Sequence, residues 1–177
     1  MTALAIAGWV PCTIAEGPHR RFAVWVQGCT LACPGCCNPE LWSRSGGRTI
    51  EVAALVDAVL AARERSDIEG ITVIGGEPLE QLAGVAALAH AVARTGLGVV
   101  VFTGYTLALA QALPGFAALW DTLDTLVDGR FDARARARET RRFVGSTNQQ
   151  LVHRTARYAD PALWLGPRTA ELVVAGD

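Results

Sequence analysis

The sequence contains no lysine, and all sixteen of its basic residues are arginines. Schiff-base catalysis by a lysine and a phosphate-binding loop that needs a lysine are therefore excluded. An excess of one charge is also lacking, because the formal net charge of -1 gives no general attraction to nucleic acid or to an anionic membrane. No apolar run is long enough to span a bilayer. The apolar N-terminus has no basic region, so we do not interpret it as a signal peptide and expect a cytoplasmic protein.

Charged residues are scarce and hydrophobic residues are abundant, at 19% and 51% of the 177 residues. This composition favours one folded domain, residues 1–177, with a large core. The five cysteines are an odd number, and Cys36 and Cys37 are adjacent. Such a set does not suit a disulfide framework and indicates a metal site in a reducing compartment.

Three cysteines stand within eight residues, in the spacing C-x3-C-x2-C formed by Cys29, Cys33 and Cys36. Three thiolates can hold a four-iron cluster and leave one iron open to a small molecule, which favours an enzyme. The alternative is a structural zinc site, which needs a fourth ligand. Cys37 or one of the three histidines could supply that ligand.

Strand and helix patterns alternate along the chain, which predicts an α/β fold with a mostly parallel sheet. The number of strand–helix units is too small for an eight-fold barrel, so we expect a partial, open (β/α) barrel. Thr49 is a plausible N-cap for the first helix. Strands are predicted over residues 20–28, 71–76, 97–105, 123–131 and 171–175, and helices over residues 49–65, 78–95 and 106–113.

Four unusual loops follow the first four predicted strands: the cysteine loop, GGEP (75–78), TGY (103–105) and DGRF (128–131). Ligands of parallel α/β folds bind at the carboxyl ends of the strands. The four loops therefore predict one shared site. Each loop taken alone also has a simpler interpretation as a turn or a helix cap, so the prediction depends on their combination.

These motifs resemble those of the radical S-adenosylmethionine (SAM) enzymes, and within them the activating proteins of anaerobic ribonucleoside-triphosphate reductase. The likeness runs from about residue 16 to residue 152, and residues 153–177 form an extension of uncertain role. Three positions depart from the family pattern: His19 stands for a glycine, Cys37 for a tyrosine and Val144 for an arginine. The matching strings are GPHR (17–20), the cysteine loop, TGY, LVDGRF (126–131) and GSTNQ (145–149).

The resemblance implies a radical SAM oxidoreductase that reductively cleaves SAM at a [4Fe-4S] cluster to a 5'-deoxyadenosyl radical. It implies that this radical installs a glycyl radical on the large subunit of anaerobic ribonucleotide reductase, with a flavodoxin or a ferredoxin as electron donor. Cys29, Cys33 and Cys36 are then the cluster ligands. The cofactor-binding residues are Gly35, beside the adenine, Cys37, as a small buried residue, and Gly75, Gly76, Glu77, Pro78, Thr103 and Tyr105.

Two other functions remain open from the sequence. One is a similar radical enzyme with another target, such as a different glycyl-radical enzyme, a peptide or a small molecule. The other is a non-catalytic iron–sulfur or zinc module. A run of six arginines, from Arg130 to Arg142, is most simply a solvated face, although it suggests a hypothesis that this surface docks an acidic partner.

Overall fold

The computed structural model describes residues 2–137 and 139–167. Four parallel strands form the middle of one open sheet and correspond to the first four predicted strands. They are β2 (Arg21–Val26), β4 (Gly70–Gly75), β5 (Gly98–Phe102) and β6 (Thr125–Asp128). The mixed α/β architecture and the mostly parallel centre are therefore confirmed. The predicted strand over 171–175 lies outside the described residues.

Three further strands, none of which the sequence patterns predicted, pair antiparallel at the two sides of the parallel centre. They are β1 (Ala3–Thr13), β3 (Arg48–Glu51) and β7 (Gln150–His153). Strand β1 pairs with β2, β3 with β1, and β7 with β6. Within the described residues the strand order is β3-β1-β2-β4-β5-β6-β7.

The three predicted helices are present with shorter bounds. They are α1 (Val52–Ser66), α2 (Leu82–Ala93) and α3 (Leu107–Gln111), and a fourth, α4 (Phe116–Trp120), was not predicted. The N-cap prediction was wrong. Thr49 lies in β3, where it pairs with Ala5 of β1, and Glu51 is the residue that precedes the first turn of α1. No helix in the described residues is both long enough and apolar enough to cross a membrane.

The strands of the parallel centre are buried on both faces, as parallel strands usually are. In β5, Val99 and Val101 face the main core with α1 and α2. Val100 and Phe102 face a second core, which the end of the described chain completes with Tyr158 and Trp164. The segment after β7 is thus an integral part of the fold.

A buried arginine fastens this segment to the starts of the parallel strands. Arg21, at the start of β2, is fully buried, and its guanidinium donates to the Tyr158 hydroxyl (2.8 Å) and to Glu69 (3.2 Å). The hydroxyl of Tyr158 in turn donates to Glu69. Because a buried charge is costly unless it is paired and hydrogen-bonded, this network supports the edge of the sheet opposite the four loops.

Candidate cofactor site

The loops after β2, β4, β5 and β6 meet at one edge of the sheet because these strands run parallel. Residues of all four loops line one cleft with an empty volume of about 1090 Å³, open solvent included. Each loop contributes to the wall of the cleft, with Cys29, Gly76, Thr103 and Gly129 as one residue from each. The four loops therefore meet at one cleft, as their places after parallel strands predicted, and binding of a shared ligand there stays a prediction.

All four cysteines of the first loop line this cleft. Cys33 is buried, Cys29 and Cys36 are half-buried, and Cys37 is exposed. The expectation that Cys37 is a small buried residue was therefore wrong. Cys12, by contrast, packs against the main core.

Glu80, which sequence reasoning missed, holds the cysteine loop in place. Its Oε1 accepts from the backbone N–H (2.7 Å) and the hydroxyl (2.6 Å) of Thr30, and its Oε2 pairs with Arg44 at 3.0 Å. Burial opposes ionisation of Glu80, but the bonds from Thr30 and Arg44 outweigh it and lower the pKa. The loop that carries the thiols is therefore held by a charged side chain of the 3-10 turn that follows GGEP.

The site environment favours the protonated form of one thiol. Burial raises the pKa of Cys29, and the negative charges of Glu77 and Glu80 add to the effect, against backbone hydrogen bonds that lower it. A metal must replace this proton, because the thiolate is the ligand. At Cys36 the sulfur already accepts the backbone N–H of Asn38 at 3.4 Å.

The glycine pair after β4 is explained by close backbone contacts. A Cβ at Gly76 would lie 2.2 Å from the carbonyl oxygen of Gly28, and a Cβ at Gly75 would lie 2.7 Å from the Cα of Trp25. Gly75 also has φ +110°, a value that side-chain-bearing residues rarely adopt. Both glycines let β4 approach β2 and the cysteine loop. Direct contact of the pair with a cofactor stays a prediction.

Glu77 joins the GGEP turn to the TGY loop inside the cleft wall. Its side chain is almost fully buried; Oε1 accepts from the Thr103 hydroxyl (2.7 Å) and the Leu79 N–H (2.9 Å), and Oε2 accepts from the Gly104 N–H (2.8 Å). Burial raises its pKa to about 7. A carboxylate has about four acceptor positions, so three bonds leave room for one cationic donor.

Three of the predicted cofactor residues are not part of the cleft lining. Gly35 packs against the strap, since its Cβ would lie 2.9 Å from that of Ala133; we use "strap" for residues 129–137 and 139–149. Pro78 is buried and opens a short 3-10 turn. Tyr105 packs against the main core. Their roles toward a cofactor stay predictions.

The strap closes one side of the cleft and is built around a buried glutamine. The Oε1 of Gln149 accepts the N–H groups of Gly145 and Ser146, both at 3.1 Å, and its Nε2 donates to the carbonyl of Gly129 at 2.9 Å. This explains the GSTNQ string as a structural motif. Val144, where the family has an arginine, lines the cleft and is buried.

The arginine run is not a single solvated face. The Arg136 guanidinium lies over the Phe131 ring and donates to the carbonyl of Gly35 at 3.4 Å, and that of Arg141 donates to the carbonyl of Gln149 at 2.6 Å. Arg130 donates to the carbonyl of Leu31 at 3.3 Å. Arg134 is exposed, and Arg138 lies outside the described residues. Part of the run therefore ties the strap to the cysteine loop.

The donor set suits a cluster better than a single ion. Across residues 2–137 and 139–167, no three His, Cys, Asp or Glu side chains are close enough together to hold one metal ion. A four-iron cluster takes each thiolate on a different iron and so accepts wider spacing. The histidines lie elsewhere, with His19 near Tyr158, His90 on α2 and His153 bonded to Thr125. Cys37 is thus the remaining candidate for a fourth ligand.

Comparisons with known proteins agree with this donor set. Residues 15–152 match the family model described as a 4Fe-4S single cluster domain. The chain is 31% identical over 153 residues to an anaerobic ribonucleoside-triphosphate reductase-activating protein of Vibrio cholerae, covering 82% of this chain and 95% of that protein. It is also 31% identical to the protein of that name from Haemophilus influenzae, over 158 residues, with the same coverage.

A phage protein with the same name is more distant. The anaerobic ribonucleoside-triphosphate reductase-activating protein of enterobacteria phage T4 is 26% identical over 150 residues, covering 82% of this chain and 91% of its own length.

The departure at His19 also fits the family pattern, because its φ of +63° is a conformation that glycine adopts freely. The chain belongs to the family of anaerobic ribonucleoside-triphosphate reductase-activating proteins.

Proposed function

We propose that this protein is a radical SAM activase, which uses a [4Fe-4S] cluster and SAM to install a glycyl radical on anaerobic ribonucleotide reductase. The observation that carries the proposal is the common cleft of the cysteine loop, the GGEP turn and the TGY loop. The relatives at about 30% identity, named as activating proteins of that reductase, support the same target. We infer a single domain over residues 1–177, with a partial barrel of the radical SAM type.

The chain's own residues would divide the work by their positions. Cys29, Cys33 and Cys36 would hold the cluster, and the remaining acceptor position of Glu77 would take the ammonium group of SAM. Val144 and the rest of the strap would exclude water from one side. When bound, the cluster supplies the electron that cleaves SAM to methionine and a 5'-deoxyadenosyl radical.

The proposed partner is the large, glycyl-radical subunit of the reductase, and a flavodoxin or ferredoxin is the proposed electron donor. The cleft opens to solvent, so a glycine loop of a partner could enter it. A cytoplasmic location stays a prediction.

Reductive SAM cleavage tests the reaction. The protein is reconstituted without oxygen with iron and sulfide and reduced, SAM is added, and 5'-deoxyadenosine is quantified. We expect product from the wild type and from Cys12→Ala, whose cysteine is half-buried and packs against the main core, but none from Cys33→Ala. Product from Cys33→Ala at the wild-type rate would contradict the assignment of the ligands. The target is then tested by adding the reductase subunit and recording the EPR signal of a glycyl radical.

Cys37 decides between an enzyme and a closed iron–sulfur module, because a fourth thiolate would leave no open iron. We expect added SAM to change the EPR signal of the reduced cluster in the wild type and in Cys37→Ser alike. A response that appears only in Cys37→Ser would show that Cys37 closes the cluster, and would favour the non-catalytic module.

The docking hypothesis for the arginine run needs a narrower test than reversing the whole run, because Arg136 lines the cleft. Arg134 is exposed, and Arg65 offers a matched control on α1. We expect Arg134→Glu to weaken association with the reductase subunit in a salt-dependent way, with Arg65→Glu close to wild type. Equal affinities of the two variants would contradict the hypothesis.

A further inference from the structure

A single basic side chain belongs to the described wall of the cofactor cleft. Among the described residues that line it, Arg136 is the one with a cationic side chain, whereas Glu16 and Glu77 are acidic. Arg136 is exposed, so a ligand in the cleft can replace the solvent around it. Val144, at the position where the family has an arginine, lines the same cleft and is buried. The positive charge of this wall therefore comes from a different part of the strap.

The backbone of Arg136 is fixed within the strap. Arg136 pairs with the fully buried Ser146 in an antiparallel bridge. The N–H of the next residue, Ala137, donates to the carbonyl of Gly145 at 3.2 Å. These contacts hold the base of the arginine side chain at a defined place in the cleft wall.

The guanidinium group of Arg136 lies between the strap and the cysteine loop. Its Nη2 donates to the carbonyl of Gly35, the residue before Cys36, at 3.4 Å, which is longer than a typical N–H···O bond. Its central carbon lies 5.2 Å from the centre of the Phe131 ring, and Phe131 also lines the cleft. A guanidinium carries five N–H donors in a planar fork that matches a carboxylate. The one long bond to Gly35 leaves donors for an anionic group of a ligand.

We propose that Arg136 binds the carboxylate of SAM, as the counterpart of Glu77, which would take the ammonium group. This inference rests on the proposed function, which supplies SAM. The amino-acid end of SAM carries both charges at neutral pH, and the described wall offers a partner for each. Bidentate pairs of arginine with a carboxylate are among the strong hydrogen bonds of proteins.

The test removes the proposed contact from the protein and from the ligand in turn. The full chain is reconstituted with iron and sulfide as the wild type, Arg136→Gln and Arg134→Gln. Dissociation constants are measured by equilibrium binding for SAM and for decarboxylated SAM, which keeps the ammonium and sulfonium groups but has no carboxylate. Glutamine can still donate to the carbonyl of Gly35. Arg134 is exposed and outside the cleft lining, which makes it the matched control.

We expect Arg136→Gln to weaken the binding of SAM on the order of 10-fold, and to leave that of decarboxylated SAM within about twofold of the wild type. Arg134→Gln should bind both ligands as the wild type does. A strap loosened by the substitution would weaken both ligands alike, so the ratio of the two dissociation constants isolates the carboxylate contact. Arg136→Lys, which keeps the charge but loses the planar fork, should lie between the wild type and Arg136→Gln.

Two results would overturn the inference alone in a protein that cleaves SAM. One is an unchanged affinity of Arg136→Gln for SAM. The other is an equal weakening of both ligands, which would assign Arg136 to the packing of the strap or to the charge of the cluster. A wild type that holds a reducible four-iron cluster but neither binds nor cleaves SAM would overturn the proposed function and this inference together.

Discussion

Replacing Gly76 by alanine tests whether the glycines of the GGEP turn are needed for the packing of the site itself. The added Cβ would lie 2.2 Å from the carbonyl oxygen and 2.9 Å from the carbonyl carbon of Gly28, whereas ordinary contacts begin at 3.4 Å. The backbone segments around Gly76 and Gly28 must therefore separate by about 1 Å. The obstacle is backbone rather than a flexible side chain, so it cannot rotate away.

The backbone around Gly28 has little freedom to yield. Its carbonyl accepts the N–H of Glu77 at 2.8 Å, and its own N–H donates to the carbonyl of Leu41 at 2.8 Å. Overpacking in a well-packed interior costs about 1–3 kcal/mol, and we expect Gly76→Ala to lie near 3 kcal/mol. Because Gly28 precedes Cys29, the displacement reaches the thiols, and a shift of about 1 Å can lower a catalytic rate on the order of 100-fold.

Gly8 provides the matched control, because a Cβ there would meet no atom within 4 Å. Urea unfolding and SAM cleavage are measured for the wild type, Gly76→Ala and Gly8→Ala. We expect Gly8→Ala to stay within about 1 kcal/mol of the wild type in the free energy of unfolding and to cleave SAM normally. A Gly76→Ala protein as stable and as active as Gly8→Ala would refute the argument from close approach.

Two further predictions concern buried polar groups. Burial raises the pKa of Glu77 from 4.5 to about 7. Between these two pH values the folded state keeps a proton that the unfolded state has lost. The protonated carboxyl therefore contributes about 3 kcal/mol to the free energy of unfolding, a contribution that is complete below pH 4.5 and is lost as the pH rises through 7. Urea unfolding of the cluster-free protein at pH 5 and pH 8 should show it, and Glu77→Gln should lack it; equal pH slopes would contradict the prediction. Tyr158→Phe should cost about 1–3 kcal/mol in the free energy of unfolding because Arg21 and Glu69 lose a buried partner. Tyr105→Phe, from the half-buried tyrosine, should cost less, and the opposite order would be evidence against the role of the network.

The central strands and the shared cleft followed from the sequence because their signals are local. Apolar runs such as residues 71–76 end in glycines, and parallel strands bring their following loops to one edge. Strand β3 had no such signal. Residues 48–51 extend into a helical pattern, and only pairing with β1 makes them a strand. The local preference around Thr49 was overridden by that tertiary contact.

The sequence by itself determined the chemistry of this protein: three closely spaced thiols, the GGEP and TGY strings and a family likeness that the comparisons confirm. These are matters of residue type and order along the chain. Only the tertiary structure decided that Cys37 is exposed, that Glu80 anchors the cysteine loop and that Arg136 lines the cleft. Exposure and hydrogen bonding depend on which segments distant in sequence come together, and no local pattern records that.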